Sequence, residues 1–230
     1  MAIVYLCLAL YILLFALVYY SSVKPALAKP LSVKKNLTPA VLTLLLAAIV
    51  RIVVAVSIEG YGTDISCFKS WSVMAYEGGL QNFYFTDAFT DYPPGYMYVL
   101  WLLGAVKSWF GIAYESAAFT LMIKLPAIIC DLITGYFIYH ILQKRTNNTL
   151  AVCLSLLYLI NPAVILNSSA WGQVDSVFTL FVVLYIYYIC EKKLLPACVF
   201  FALGILIKPQ TVIFTPVLLL YLYRMLFWEG

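Results

Sequence analysis

The feature that most constrains this chain is a series of apolar runs, each long enough to cross a lipid bilayer. A transmembrane helix needs about 20 mainly apolar residues, because the hydrocarbon core is about 30 Å thick. Hydrophobic residues make up 65% of the 230-residue sequence and charged residues only 10%, which excludes a water-soluble globular domain. The runs of this kind are 2–20, 39–58, 117–142, 149–167, 174–190 and 194–227.

The last run is too long for one helix and carries Lys208-Pro209-Gln210 near its middle. We therefore interpret 194–227 as a tight hairpin of two spans. This gives an all-α transmembrane bundle of seven spans, which we treat as a single module over 1–230. Its N-terminal helix, 1–22, has no charged segment before its apolar core, and that core is too long for a signal peptide, so a retained helix is favoured.

Basic residues predict how the bundle is oriented. Short cytoplasmic segments of membrane proteins collect Lys and Arg, and nine of the fourteen basic residues lie in four short segments. All four segments fall on one side only if the apolar segment 93–110 does not cross the bilayer. We therefore predict that 93–110 is an interfacial or shallow re-entrant helix within a large outer loop, 59–116. The nine residues are Lys24, Lys29, Lys34, Lys35, Lys144, Arg145, Lys192, Lys193 and Arg224.

The outer loop begins with two glycines that permit a sharp turn, Gly60 and Gly62, and a helical pattern follows from Asp64. One face of this pattern is apolar and the other polar, which predicts an amphipathic helix lying on the membrane surface. Asp64 at its start is either a helix cap or a functional acid. The predicted polar face consists of Ser66, Lys69, Ser70 and Glu77.

Two further outer segments carry polar residues. Asp91-Tyr92-Pro93-Pro94-Gly95 reads as a rigid turn that starts a helix, because its two prolines fix an extended entry. The end of one span carries three side chains that can hydrogen-bond a polar ligand such as a sugar: Asn167, Gln173 and Asp175. Trp171 between them fits this ligand site or an ordinary membrane-interface anchor.

Four charged residues lie at membrane depth or at its edge: Arg51, Lys124, Asp131 and Lys208. Such residues are costly in hydrocarbon, so each is a functional candidate, although Arg51 or Lys124 could instead pair with Asp131 to hold helices together. No CxxC spacing and no His/Cys cluster occurs, so no zinc site and no cofactor is indicated. A divalent ion shared by Asp64 and Asp91 is possible. The basic residues punctuate the spans rather than form a patch, which argues against nucleic-acid binding.

Taken in order, these motifs resemble the GT-C superfamily of glycosyltransferases that use polyprenyl-phosphate sugars. The strongest likeness is to Alg-type glucosyltransferases and their bacterial relatives, often named mannosyltransferases. The resemblance runs from about Arg51 to about Leu220. The motifs are Asp64, Asp91-Tyr92-Pro93-Pro94-Gly95, Asn161-Pro162, Trp171-Gly172-Gln173-Val174-Asp175-Ser176 and Lys208-Pro209-Gln210.

The resemblance implies inverting transfer of a hexose from a polyprenyl-phosphate donor to a lipid-linked or cell-envelope acceptor. It places Asp64 as the catalytic base, and it implies a bacterial cell membrane with the active site facing outside. Relatives continue through further C-terminal helices, which we expect to be absent here. The rival hypotheses are a transporter or lipid flippase and a non-catalytic scaffold. The predicted substrate-binding residues are Asp91, Tyr92, Trp171, Gln173, Asp175, Lys208, Gln210, Lys124 and Arg51.

Overall fold

The computed structural model describes residues 2–27 and 37–227, and no β-strand occurs in this part of the chain. The predicted all-α fold is therefore confirmed. Two 3₁₀ segments, Leu80–Phe85 and Pro209–Phe214, and two π-helical segments, Tyr19–Val23 and Leu166–Trp171, connect the α-helices. The α-helices are α1 (Ala2–Val18), α2 (Lys24–Leu27), α3 (Thr38–Ser57), α4 (Gly62–Glu77), α5 (Pro94–Trp109), α6 (Ala117–Leu142), α7 (Asn148–Leu159), α8 (Pro162–Ile165), α9 (Asp175–Cys190), α10 (Leu194–Ile207) and α11 (Thr215–Phe227).

Among the residues that the structure describes, two helices are long and apolar enough to cross a membrane: α3 with 20 residues and α6 with 26. A third candidate is the pair formed by α7 and the segment Pro162–Trp171, which is bent by 48°. The protein is thus an integral membrane protein. The apolar helices α9 and α10 are shorter, so the count of seven spans is not confirmed and stays a prediction. Of the basic residues used for orientation, Lys29, Lys34 and Lys35 lie outside the described residues.

The predicted run 149–167 is broken at Asn161-Pro162. A proline disfavours helical geometry in the residue before it, and Asn161 is extended with φ −60° and ψ 120°. Its side-chain oxygen accepts a hydrogen bond from Ala163 N at 2.9 Å and so caps the next short helix. The break redirects the chain into the π-helical segment Leu166–Trp171, whose last residue contacts Tyr61 before α4.

The helix α4 is not an isolated surface helix, because it packs against both α5 and α6. Its apolar side joins a core with Phe68, Trp71 and Tyr96. Lys69, which the sequence places on a polar face, is only 7% exposed, so that prediction is wrong. The reason is that the beginning of α6 covers this side of α4, and the ring of Phe119 lies 5.7 Å from the Lys69 ammonium.

Prolines also determine where helices α5 and α10 begin or end. Helix α5 begins at Pro94, inside the predicted segment 93–110, and its outer-surface position stays a prediction. Helix α10 ends at Ile207, and Lys208 is extended with φ −151° and ψ 124° because Pro209 follows it. The predicted hairpin tip is therefore a real break between two helices, α10 and α11.

Candidate active site

A cavity of about 840 Å³ lies where four segments meet: the start of α4, the turn before α5, the chain between α8 and α9, and the end of α10. Eight of the ten predicted site residues line it, although they are far apart in sequence. The lining consists of Asp64, Asp91, Tyr92, Pro93, Asn167, Trp171, Gln173, Asp175, Lys208, Pro209 and Gln210.

Asp64 lies in the first turn of α4, but it does not cap the helix, whose N-cap is Tyr61 without a side-chain bond. Instead its Oδ2 accepts hydrogen bonds from the Trp171 indole N–H at 2.7 Å and from the Gln173 amide. Its Oδ1 makes no hydrogen bond to any residue that the structure describes. One carboxylate oxygen is thus held in place, and the other is available to a ligand hydroxyl in the cavity.

Two glycines with left-handed backbones bring Trp171 to Asp64. Gly60 has φ +105°, and a Cβ there would lie 2.8 Å from the Trp171 carbonyl oxygen. Gly172 has φ +89°, and a Cβ there would lie 2.6 Å from Ile65. The close approach lets Tyr61 N–H donate to the Trp171 carbonyl at 3.1 Å. These positions therefore require glycine for conformation and for space.

Lys208 supplies the positive charge of the cavity. Its ammonium is ion-paired with Asp175 Oδ1, and the Asn167 amide donates to Asp175 Oδ2 at 3.0 Å. The ammonium also lies 5.9 Å from the ring centroids of Tyr92 and Phe178, within cation–π range. Asp175 thereby fixes where the Lys208 charge sits.

A chain of hydrogen bonds through Tyr92 and Gln173 leads to Asp64. The Tyr92 hydroxyl donates to Gln173 Oε1 at 3.3 Å, and the Gln173 amide nitrogen in turn donates to Asp64. Burial, followed by the charges of Asp175, Asp64 and Asp91, raises the pKa of Tyr92. Its phenol therefore keeps its proton at neutral pH and acts as a donor.

The residues that line this cavity all lie within the part of the chain that matches a known protein family. The profile of the family described as "GPI transamidase subunit PIG-U" matches residues 62–227, which is well over half of the chain and includes every residue lining the cavity. The chain belongs to the PIG-U family. This confirms the GT-C superfamily resemblance, whereas the Alg-type subfamily is not confirmed.

Three curated relatives are each named GPI mannosyltransferase 1. The protein of Dictyostelium discoideum is 34% identical over 103 residues, which are 43% of this chain and 23% of the relative. That of Debaryomyces hansenii is 36% identical over 106 residues, and that of Candida albicans 32% over 102, each covering 43% of this chain and 25% of the relative. The matched part thus spans about a quarter of these relatives. No solved structure matches the chain.

In this PIG-U family member, Arg51 and Lys124 do not line the cavity, although the sequence predicts both as substrate-binding residues. Arg51 is fully buried, and its Nε lies 3.3 Å from Asp131 Oδ2. This ion pair joins two helices, which is the alternative role that the sequence left open for Arg51. Asp131 also accepts hydrogen bonds from Tyr158 at 3.1 Å and from Ser168 at 2.6 Å. This buried network holds the π-helical segment that carries Asn167 and Trp171 to the cavity.

Lys124 is also fully buried and holds the same segment by a different route. Its ammonium donates to three backbone carbonyls: Ala55 at 3.1 Å, Ile58 at 2.5 Å and Ala170 at 3.3 Å. It therefore joins the end of α3 to the segment that precedes Trp171. The sequence does not indicate this role, because the partners of Lys124 are backbone carbonyls, which every residue carries.

We expect Lys124→Met to destabilise the protein, because each buried carbonyl left unpaired costs about 1–3 kcal/mol. Thermal unfolding of the purified protein in detergent should show a lower midpoint, and the tryptophan emission should shift as Trp171 loses its support. Lys107→Met, on the partly exposed lysine near the end of α5, is the matched control and should leave both readings unchanged. An unaltered midpoint for Lys124→Met would show that Lys124 does not hold the end of α3 to the segment before Trp171.

Pro93 and Pro209 form walls of the cavity in addition to their predicted role in the turns before α5 and after α10. No group of three His, Cys, Asp or Glu side chains that could hold a metal converges within residues 2–27 and 37–227. A divalent ion shared by Asp64 and Asp91 involves only two such side chains, so this expectation stays untested.

Proposed function

We propose that this protein is an inverting mannosyltransferase that transfers mannose from a polyprenyl-phosphate donor to a glycosylated phosphatidylinositol on the non-cytoplasmic face. The observation that carries the proposal is one polar cavity that holds Asp64, with a free carboxylate oxygen, together with the Lys208 cation. The name of the curated relatives supports mannose and a GPI acceptor.

The chemistry needs a base for the acceptor hydroxyl and positive charge for the departing phosphate. Asp64 Oδ1 accepts the hydroxyl proton while the hydroxyl oxygen forms a bond to the anomeric carbon of the donor. The bond from that carbon to the phosphate oxygen breaks, and the phosphate leaves with the electron pair. Lys208 offsets the charge that grows on this phosphate. Attack opposite the leaving group inverts the anomeric carbon, so no covalent sugar–enzyme intermediate is needed.

The remaining residues of the cavity hold these two groups in position. Trp171 and Gln173 donate to one oxygen of Asp64 and thereby aim the other. Asp175 holds the Lys208 ammonium. Asp91 and Gln210 line the cavity without a hydrogen bond to any described residue, which suits groups that contact sugar hydroxyls.

A second candidate function comes from the family description, which names a GPI transamidase subunit. In that role the same cavity would bind a glycosylated phosphatidylinositol and present it to a partner enzyme. Asp64 would then accept a hydrogen bond from a sugar hydroxyl without taking its proton. Binding of the glycolipid is common to both candidates, whereas sugar transfer belongs only to the first.

The location of the reaction is part of the proposal. The outward-facing site rests on the distribution of Lys and Arg. The bacterial membrane expected from the sequence gains no support, because the three relatives come from an amoeba and two yeasts.

The donor class can be tested with the purified chain in lipid nanodiscs. Polyprenyl-phosphate mannose, polyprenyl-phosphate glucose and GDP-mannose are each supplied with a glycosylated phosphatidylinositol acceptor. We expect product only from polyprenyl-phosphate mannose. Product from the nucleotide sugar would contradict the donor assignment, and a preference for glucose would restore the Alg-type subfamily.

A further inference from the structure

A second cavity, of about 340 Å³, lies on the opposite side of the first turns of α4. It shares no lining residue with the active-site cavity. Its walls come from the end of α3, the first turns of α4 and the start of α6, so it sits where the two candidate spans end. The lining residues that matter are Val56, Glu59, Ser66, Lys69, Glu115 and Thr120.

Lys69 is the unusual member of this lining. The residue is 7% exposed, and its ammonium lies 5.8 Å from the ring centroid of Tyr114 and 5.7 Å from that of Phe119. Within the described residues it makes no ion pair and no hydrogen bond. An ammonium on a residue with so little contact with water is stabilised by an anion or by several acceptors beside it. The cavity is the place from which an anionic group can reach it.

The two carboxylates of the cavity are also unpaired. Neither Glu59 nor Glu115 forms an ion pair with any residue that the structure describes. Both are exposed. A cavity that carries one cation and two carboxylates without protein partners fits a ligand with charges of both signs. A phosphate joined to a primary amine is such a ligand, with the phosphate on Lys69 and the amine on the glutamates.

The surface beside the cavity indicates that this ligand is a membrane lipid. Val56 lines the cavity and is 62% exposed, and Ile49, two turns earlier on α3, is 61% exposed. Val53 lies between them on the same face and is also exposed. Because α3 is a candidate span, this apolar strip would run from the cavity into the hydrocarbon. Acyl chains along the strip would place a lipid headgroup at the cavity.

We propose that the Lys69 cavity binds the headgroup of a phospholipid that carries a phosphate and a primary amine, of the phosphatidylethanolamine type. The lipid lies with its chains along Ile49, Val53 and Val56, and it supplies the anion that the buried lysine lacks. The proposal is independent of sugar transfer, because it uses none of the residues of the active-site cavity.

The test is lipid binding to the delipidated full chain in detergent, measured by titration of short-chain phosphatidylethanolamine and by the rise in unfolding temperature that binding causes. We expect Lys69→Met to weaken binding by about 10- to 100-fold, the loss of one charge-assisted hydrogen bond. Lys107→Met is the matched control, since its ammonium lies 5.7 Å from the Phe119 ring but outside the cavity, and it should bind normally. Lys69→Arg, which keeps the charge, should retain most of the binding, which would assign a loss in Lys69→Met to the missing charge.

Two further arms test the ligand class. Glu59→Gln with Glu115→Gln should abolish the preference for phosphatidylethanolamine over phosphatidylglycerol while phosphate binding to Lys69 remains. Soluble phosphoethanolamine should bind the unaltered protein much more weakly than the lipid, because it lacks the chains that contact Val56. Unchanged lipid binding by Lys69→Met would overturn the site. Equal affinity for phosphatidylglycerol would overturn the amine contact, and equal affinity for phosphoethanolamine would overturn the lipid source. Asp64→Asn should bind the lipid normally, so failure of this site and failure of the proposed function are separate results.

Discussion

Asp64→Asn is expected to lower the rate of mannose transfer by about 10²–10⁴-fold, the usual cost of losing a general base. The substitution keeps the size of the side chain, and its carbonyl oxygen can still accept from Trp171 and Gln173, as Oδ2 of Asp64 does. The amide that replaces Oδ1 cannot take a proton from the acceptor. The protein should therefore fold, insert into membranes and bind donor almost normally. Transfer rate and donor binding are measured on the same nanodisc preparation.

The matched control is Asp87→Asn. Asp87 is an exposed acid between α4 and α5, and it does not line the cavity. This variant should transfer mannose at the normal rate. If Asp64→Asn also retains near-normal transfer, Asp64 is not the base, and Asp91, the exposed carboxylate at the cavity, becomes the candidate.

Lys208→Ala is expected to lower the transfer rate by roughly 10²–10³-fold, comparable to the loss of a donor that stabilises developing charge. The negative charge on the phosphate grows toward the transition state, so the rate should fall more than donor affinity. Initial rates at saturating donor, together with a donor titration, separate the two effects. Equal loss in both would assign Lys208 to simple binding of the lipid phosphate.

The ion pair with Asp175 requires a second variant, because Lys208→Ala leaves that carboxylate without its cation. Lys208→Ala combined with Asp175→Asn removes the unpaired charge. If Lys208 acts on the phosphate, the double variant should remain as slow as Lys208→Ala. Recovery of transfer in the double variant would show that Lys208 serves only to neutralise Asp175.

The sequence predicted much of the site because its signals are local. Proline fixes where helices begin and end, so Pro94, Pro162 and Pro209 mark real breaks that carry the polar turns. Glycine marks the close approach at Gly60. The polar turns at these breaks contribute residues to one cavity.

The parts that the sequence could not predict depend on partners distant along the chain. Lys69 follows a polar pattern on α4, yet α6, which begins some 50 residues later, covers it. Arg51 and Lys124 carry charge at membrane depth, but whether such a charge faces a ligand or a neighbouring helix depends on the packing of α3, α6 and the π-helical segment. The length of a span is also hard to predict from hydropathy alone. The run 149–167 is mainly apolar, yet the structure bends it.

The most direct test of the central claim is the anomeric configuration of the mannose that the purified chain transfers from polyprenyl-phosphate mannose, determined by nuclear magnetic resonance of the isolated product. Direct displacement, with Asp64 as base and the phosphate as leaving group, predicts that a product forms and that its configuration is inverted relative to the donor. A retained configuration would contradict the account, because a single displacement opposite the leaving group always inverts the attacked carbon. Absence of product from a chain that still binds the glycosylated phosphatidylinositol would also contradict it, and would favour the transamidase subunit.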